Sequence, residues 1–120
     1  MIIKTKLLCP DCGNRVDNYG NLELEVPGRD ASVYTYQWYK CETCGVKFYG
    51  ELEEFINVFD DDLVHVGFYA DPDTWEETLK KLEKCPDFRY KKCRCATHRY
   101  FKKNGLPSKG KSFALELDKE

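Results

Sequence analysis

Long apolar runs are missing from this sequence: nothing approaches the roughly 20 consecutive residues a membrane helix needs. Membrane insertion by a helix is therefore excluded. A secretory leader is not expected either. Met1-Ile2-Ile3-Lys4-Thr5-Lys6-Leu7-Leu8 carries lysines inside its apolar stretch and lacks a small-residue cleavage site. Serine occurs only as Ser32, Ser108 and Ser112, and histidine only as His65 and His98. Neither histidine sits in an acid–base constellation, which argues against an enzyme. The 120 residues suffice for one domain, or two very small ones sharing a core, and leave no room for a full doubly wound sheet. What is present, 42% hydrophobic and 33% charged residues, is a globular composition.

Cysteine is abundant. Seven are present, an odd number that argues against a disulfide framework and for a reducing, cytoplasmic setting. Cys9-Pro10-Asp11-Cys12-Gly13 and Cys41-Glu42-Thr43-Cys44-Gly45 form two C-x-x-C-G units, with 28 residues between Cys12 and Cys41. Two residues between thiols allow a tight turn to bring both sulfurs to one side. Glycine after the second cysteine can take positive φ, so backbone amides can face the thiolates. Two such turns supply four sulfurs, which suits tetrahedral Zn²⁺. On these paired knuckles, residues 1 to about 50 resemble the zinc-ribbon fold group. The resemblance implies a structural zinc held by Cys9, Cys12, Cys41 and Cys44. The separation of the pairs exceeds the usual 15 to 20 or so residues. It accommodates two alternating, strand-like segments, Leu22–Val26 and Ser32–Tyr39, around a turn at Pro27-Gly28-Arg29-Asp30.

Cys85, Cys93, Cys95 and His98 are less regular. In an extended segment Cys93 and Cys95 project to one face, with His98 reaching in from the next turn and Cys85 as fourth donor. Seven cysteines and His98 thus make two complete sets of four. The alternative is that Cys85 and one of the pair are small core residues and His98 is in solvent. His65, inside the alternating run Leu63–Tyr69, reads as a surface or satisfied core residue.

Phe55–Phe59 and Leu63–Tyr69 read as a hairpin turning at Asp60-Asp61-Asp62, a turn that needs no cation to explain it. A helix is predicted over 72–84. Asp71 is its N-cap and Pro72 its first residue, with acidic residues early and lysines late. Trp75, Leu79 and Leu82 form its apolar stripe, and Pro86 follows its end. Residues 88–101 read as strand and knuckle, 104–110 as a loop, and Ser112–Leu117 as a closing strand. The expected fold is a small, β-rich α+β protein. A zinc ribbon (1–50) packs on a part with hairpin, one helix and a second zinc knuckle (51–120). Gly105-Leu106-Pro107-Ser108-Lys109-Gly110-Lys111-Ser112 satisfies the P-loop pattern, but too few residues follow it for a nucleotide-binding sheet.

Charge is strongly segregated. Residues 51–77 hold ten acidic side chains and no basic ones, whereas residues 78–111 hold twelve basic and two acidic. In the basic block, Arg89, Lys91, Lys92, Arg94, Arg99, Lys102 and Lys103 alternate with Tyr90, Tyr100 and Phe101. Cations would meet phosphates and exposed rings would stack on bases, giving a nucleic-acid-binding zinc module. Two other readings stand beside it. The charged blocks neutralise each other, or the aromatics are core residues. A further alternative is a protein-interaction adaptor, inhibitor or immunity-type partner using the acidic stretch, with Glu51, Glu53 and Glu54 at its front. No small-molecule substrate is expected.

Overall fold

A computed structural model describes residues 2–26, 29–56, 61–86, 93–106 and 111–116. Six strands form one antiparallel sheet in chain order: β1 (Ile3–Leu8), β2 (Arg15–Val26), β3 (Arg29–Lys40), β4 (Lys47–Ile56), β5 (Asp61–Tyr69) and β6 (Ser112–Ala114). Two helices, α1 (Pro72–Glu83) and α2 (Ala96–Asn104), lie between β5 and β6. No described helix is long and apolar enough to cross a membrane.

The alternating segments pair as hairpins, with Leu22 opposite Tyr36, Leu24 opposite Tyr34, and Leu52 opposite His65. The turn residues Pro27 and Gly28, and Asn57 to Asp60, lie outside the described residues. β4 runs through residue 50, so one sheet carries strands from both halves of the chain. Alternation places Tyr36, Trp38 and Tyr49 on one face, and Tyr39 and Phe48 on the other. In β2 the register shifts between Asn18 and Gly20. The extra residue, Tyr19, moves the even-numbered positions from one face to the other. Val16 thus packs with Phe48, whereas Leu22 and Leu24 pack with Trp38.

The helices cover the first face. Asp71 caps α1 as its composition predicts, its carboxylate accepting from the Thr74 amide at 3.0 Å. Trp75 and Leu82 face the sheet, and Trp38 Nε1–H donates to the buried Thr78 hydroxyl at 2.9 Å. Lys47 ties the start of β4 to α1 through Glu76 at 2.8 Å.

The second face is covered by the chain's end. Phe113 lies over Gly67, where a Cβ would come within 2.4 Å of the ring. Leu8 N–H donates to the Glu116 carbonyl at 2.9 Å, so the sheet curls until its two edges approach each other. Leu7, Val16, Tyr39, Phe48, Phe113 and Leu115 fill the inside of that curl.

The second helix departs from the strand and knuckle predicted for residues 88–101. Cys95 occupies the N-cap position, its sulfur accepting from the His98 amide, and Gly105 ends the helix at φ 68°. The P-loop-like segment therefore lies after a helix and before a strand, the reverse of the order that motif needs. Pro107 to Gly110 fall outside the described residues.

Candidate metal centres and basic surface

Two copies of one turn build the first cluster. Cys9 N–H donates to Asn14 O and Gly13 N–H to Cys9 O, at 2.7 and 3.0 Å. In the second knuckle Cys41 N–H donates to Val46 O and Gly45 N–H to Cys41 O, at 2.9 and 2.8 Å. Both glycines take the positive φ that the spacing predicts, 77° at Gly13 and 82° at Gly45. The four sulfurs lie within 4.8 Å of one another, with Cys9–Cys44 at 3.6 Å and Cys12–Cys41 at 3.5 Å. Tetrahedral coordination with metal–sulfur bonds of about 2.3 Å needs sulfur–sulfur edges of about 3.8 Å. The cluster is already close to that geometry.

Each knuckle is pinned by a tyrosine that no sequence pattern singles out. Tyr69 of β5 donates to the Asp11 carboxylate at 2.7 Å, and Tyr19 at the β2 bulge donates to Glu42. Both acids fill an x position of their C-x-x-C units, Asp11 the second and Glu42 the first. The hydrogen bond to Asp11 pushes the Tyr69 hydroxyl up to about 12, and that to Glu42 does the same for Tyr19. Around the sulfurs, the Asn14 backbone amide and then its side-chain amide bring the Cys12 thiol down to about 6. Burial pushes Cys9 up to about 12. Cys12 and Cys44 are exposed, and Cys9 and Cys41 are buried.

The second cluster joins the two helices. Cys85 follows the end of α1, Cys93 and Cys95 precede α2, and His98 stands in its first turn. Their ligand atoms also lie within 4.8 Å of one another. His98 Nδ1 is 3.2 Å from Cys85 Sγ and 3.4 Å from Cys95 Sγ, and the two sulfurs are 3.5 Å apart. Tetrahedral edges between imidazole nitrogen and thiolate are about 3.6 Å for ordinary zinc bond lengths. His98 is 2% exposed, and its Nε2 lies 3.0 Å from the Glu23 carbonyl of β2. A carbonyl only accepts, so Nε2–H donates to it, and Nδ1 is the ring nitrogen left facing the sulfurs. This is the arrangement a metal-binding histidine requires. Despite the opposing desolvation by burial, the His98 backbone amide and the neighbouring side chains bring the Cys95 thiol down to about 6. Of the two readings left open for these residues, the solvent-facing histidine is overturned: His98 is buried and aimed at the sulfurs. Both donor sets fit a thiophilic divalent metal, and both could hold one.

The basic surface differs from its prediction. Arg94, Arg99, Lys102 and Lys103 are exposed. Phe101 is not available for stacking: it is fully buried, edge-on to Tyr36 and Trp38 at 6.2 and 5.6 Å. A helix places Phe101 three residues after His98 on the buried side, where a strand would have displayed it. Tyr100 is half-buried beneath the Lys81 ammonium, 4.9 Å from its ring centre. Arg89, Tyr90, Lys91 and Lys92 lie outside the described residues. On the acidic stretch, Glu51 is not at the surface; it is buried and accepts from the Tyr34 hydroxyl at 2.9 Å. The side chains of Glu53 and Glu54 lie outside the described residues. His65 is half-buried, with Nε2 2.7 Å from Gln37 Oε1, as expected of a satisfied residue.

The chain matches no protein-family model, no curated protein and no solved structure.

Proposed function

We propose that this protein is a non-enzymatic module of the zinc-ribbon type that holds two structural zinc ions and binds nucleic acid. The observation that carries the zinc reading is the second cluster. Three thiols and a buried imidazole converge there, and a backbone carbonyl orients the imidazole. The first cluster offers four cysteines at near-tetrahedral spacing. Four protein donors in each set leave no coordination position for a substrate or an activated water, so the metals act on the fold.

The nucleic-acid reading is supported by what the second zinc would organise. Thr97 Oγ1–H donates to the Lys81 carbonyl at 2.8 Å, which sets the start of α2 against the end of α1. Lys80 and Lys84 near that end of α1 are exposed, as are Arg94, Arg99, Lys102 and Lys103 on and just before α2. In the acidic stretch, Glu51 is buried and Glu76 is engaged by Lys47, so these two are not offered to a partner. Metal analysis of the purified chain, together with titration against labelled DNA and RNA at low salt, tests both parts. Two zinc ions per chain and binding that weakens steeply with salt are expected. Absence of binding to every oligonucleotide would sink the nucleic-acid reading, and absence of zinc would sink the first.

A further inference from the structure

We infer that the basic surface recognises the phosphate backbone of double-helical nucleic acid, not unpaired bases; this rests on the nucleic-acid reading above. Single-strand binding needs uncovered aromatic faces on which bases can stack. Among the described residues of this surface, none is offered. Phe101 is fully buried, and Tyr100 is half-buried, edge-on to Phe101 at 5.1 Å and covered by the Lys81 ammonium.

The cations are arranged differently. Arg99, Lys102 and Lys103 stand at i, i+3 and i+4 on α2 and so share one face, with Arg94 just before the helix. The opposite face is committed to the core through Thr97, His98 and Phe101. Both ends of α2 are held: the Cys95–His98 cluster at its start, and the Gly105 amide bonded to the Phe101 carbonyl at 2.8 Å at its end. The row of charge is therefore preorganised on a rigid element. Nine residues extend about 13.5 Å. Over that length a duplex presents roughly eight phosphate charges, and one of its strands alone about four. A fixed row of cations, with no stacking platform among the described residues, gains most from the denser target.

The test uses the zinc-loaded full chain and fluorescence anisotropy against duplex DNA and duplex RNA of about 20 base pairs, and against the single strands of each. Duplex should bind at least about fivefold more tightly than single strand, with a log–log salt slope near −3.6 for about four phosphates neutralised. The triple variant Arg99→Gln, Lys102→Gln, Lys103→Gln, verified to keep its zinc and circular dichroism, should lose about tenfold or more in affinity. Tyr100→Leu should change affinity less than about twofold. Single strands bound as tightly as duplex, or a loss beyond about fivefold in Tyr100→Leu, would overturn this inference and leave nucleic-acid binding standing. Displacement of duplex by anionic phospholipid vesicles at equal charge would overturn it in favour of a general anionic surface. If no nucleic acid binds, the underlying reading fails as well.

Discussion

Cys9, Cys12, Cys41 and Cys44 close on one another through two copies of a single local turn. Cys85, Cys93, Cys95 and His98 converge only because the end of α1, the start of α2 and a carbonyl of β2 meet. The first cluster sits at strand ends that the sheet ladder and two tyrosine–carboxylate bonds already position. The second is the junction that holds a nine-residue helix, a length too short to persist alone in water. The two donor sets therefore differ in what a bound metal would do: at the first it would close two turns that the sheet already places, and at the second it would tie the end of α1 to the start of α2.

The sharpest attempt to break that contrast is to remove one ligand from each cluster. Structural zinc in small domains contributes roughly 10–16 kcal/mol of apparent binding energy, comparable to the whole stability of a typical domain. His98→Ala should lose one zinc and the helical signal of α2 together. Cys12→Ala should lose one zinc and keep both the helical signal and the sheet. Metal analysis with far-ultraviolet circular dichroism reads both, and equal structural damage from the two variants would erase the contrast.

Next in size, Phe101→Ala empties a fully buried site between Tyr36 and Trp38 and should cost about 3–5 kcal/mol in denaturant unfolding. On the other face of the sheet, Gly67→Ala drives a methyl group into the Phe113 ring and should cost about 1–3 kcal/mol. The smallest effect lies away from both clusters. Burial holds the His65 imidazole below its ordinary value of 6.5. The unfolded chain then protonates first, so stability is full above about pH 6.5 and declines as the pH falls below it. Melting curves of His65→Gln should lose that part of the acid sensitivity, which separates it from acid-driven release of metal.

Much of this was legible in the sequence where the determinants are local. C-x-x-C-G dictates its own turn, and alternation over Leu22–Val26 and Ser32–Tyr39 dictates a strand pair. Asp71-Pro72 starts a helix whatever surrounds it. The second cluster was legible as a set of donors but not as a junction, since nothing near His98 in sequence announces that Glu23 will orient it. α2 was missed because cations alternating with aromatics look alike on a strand and on a short helix. Only packing against Tyr36 and Trp38 decides that Phe101 points inward. Gly105 just after Asn104, with Lys102 and Lys103 in the last turn, was the available end signal. The bonds from Tyr19 and Tyr69 to the knuckles span 23 and 58 residues; the first follows from the β2–β3 pairing and the second from the curl of the sheet.

The proposal that coordinated metal ties the two helices together is tested most directly by native mass spectrometry of the purified chain, paired with its thermal melt in excess chelator. Two zinc ions per chain and a melt that collapses when they are stripped are the predicted result. A metal-free chain whose melting is indifferent to the chelator would contradict it.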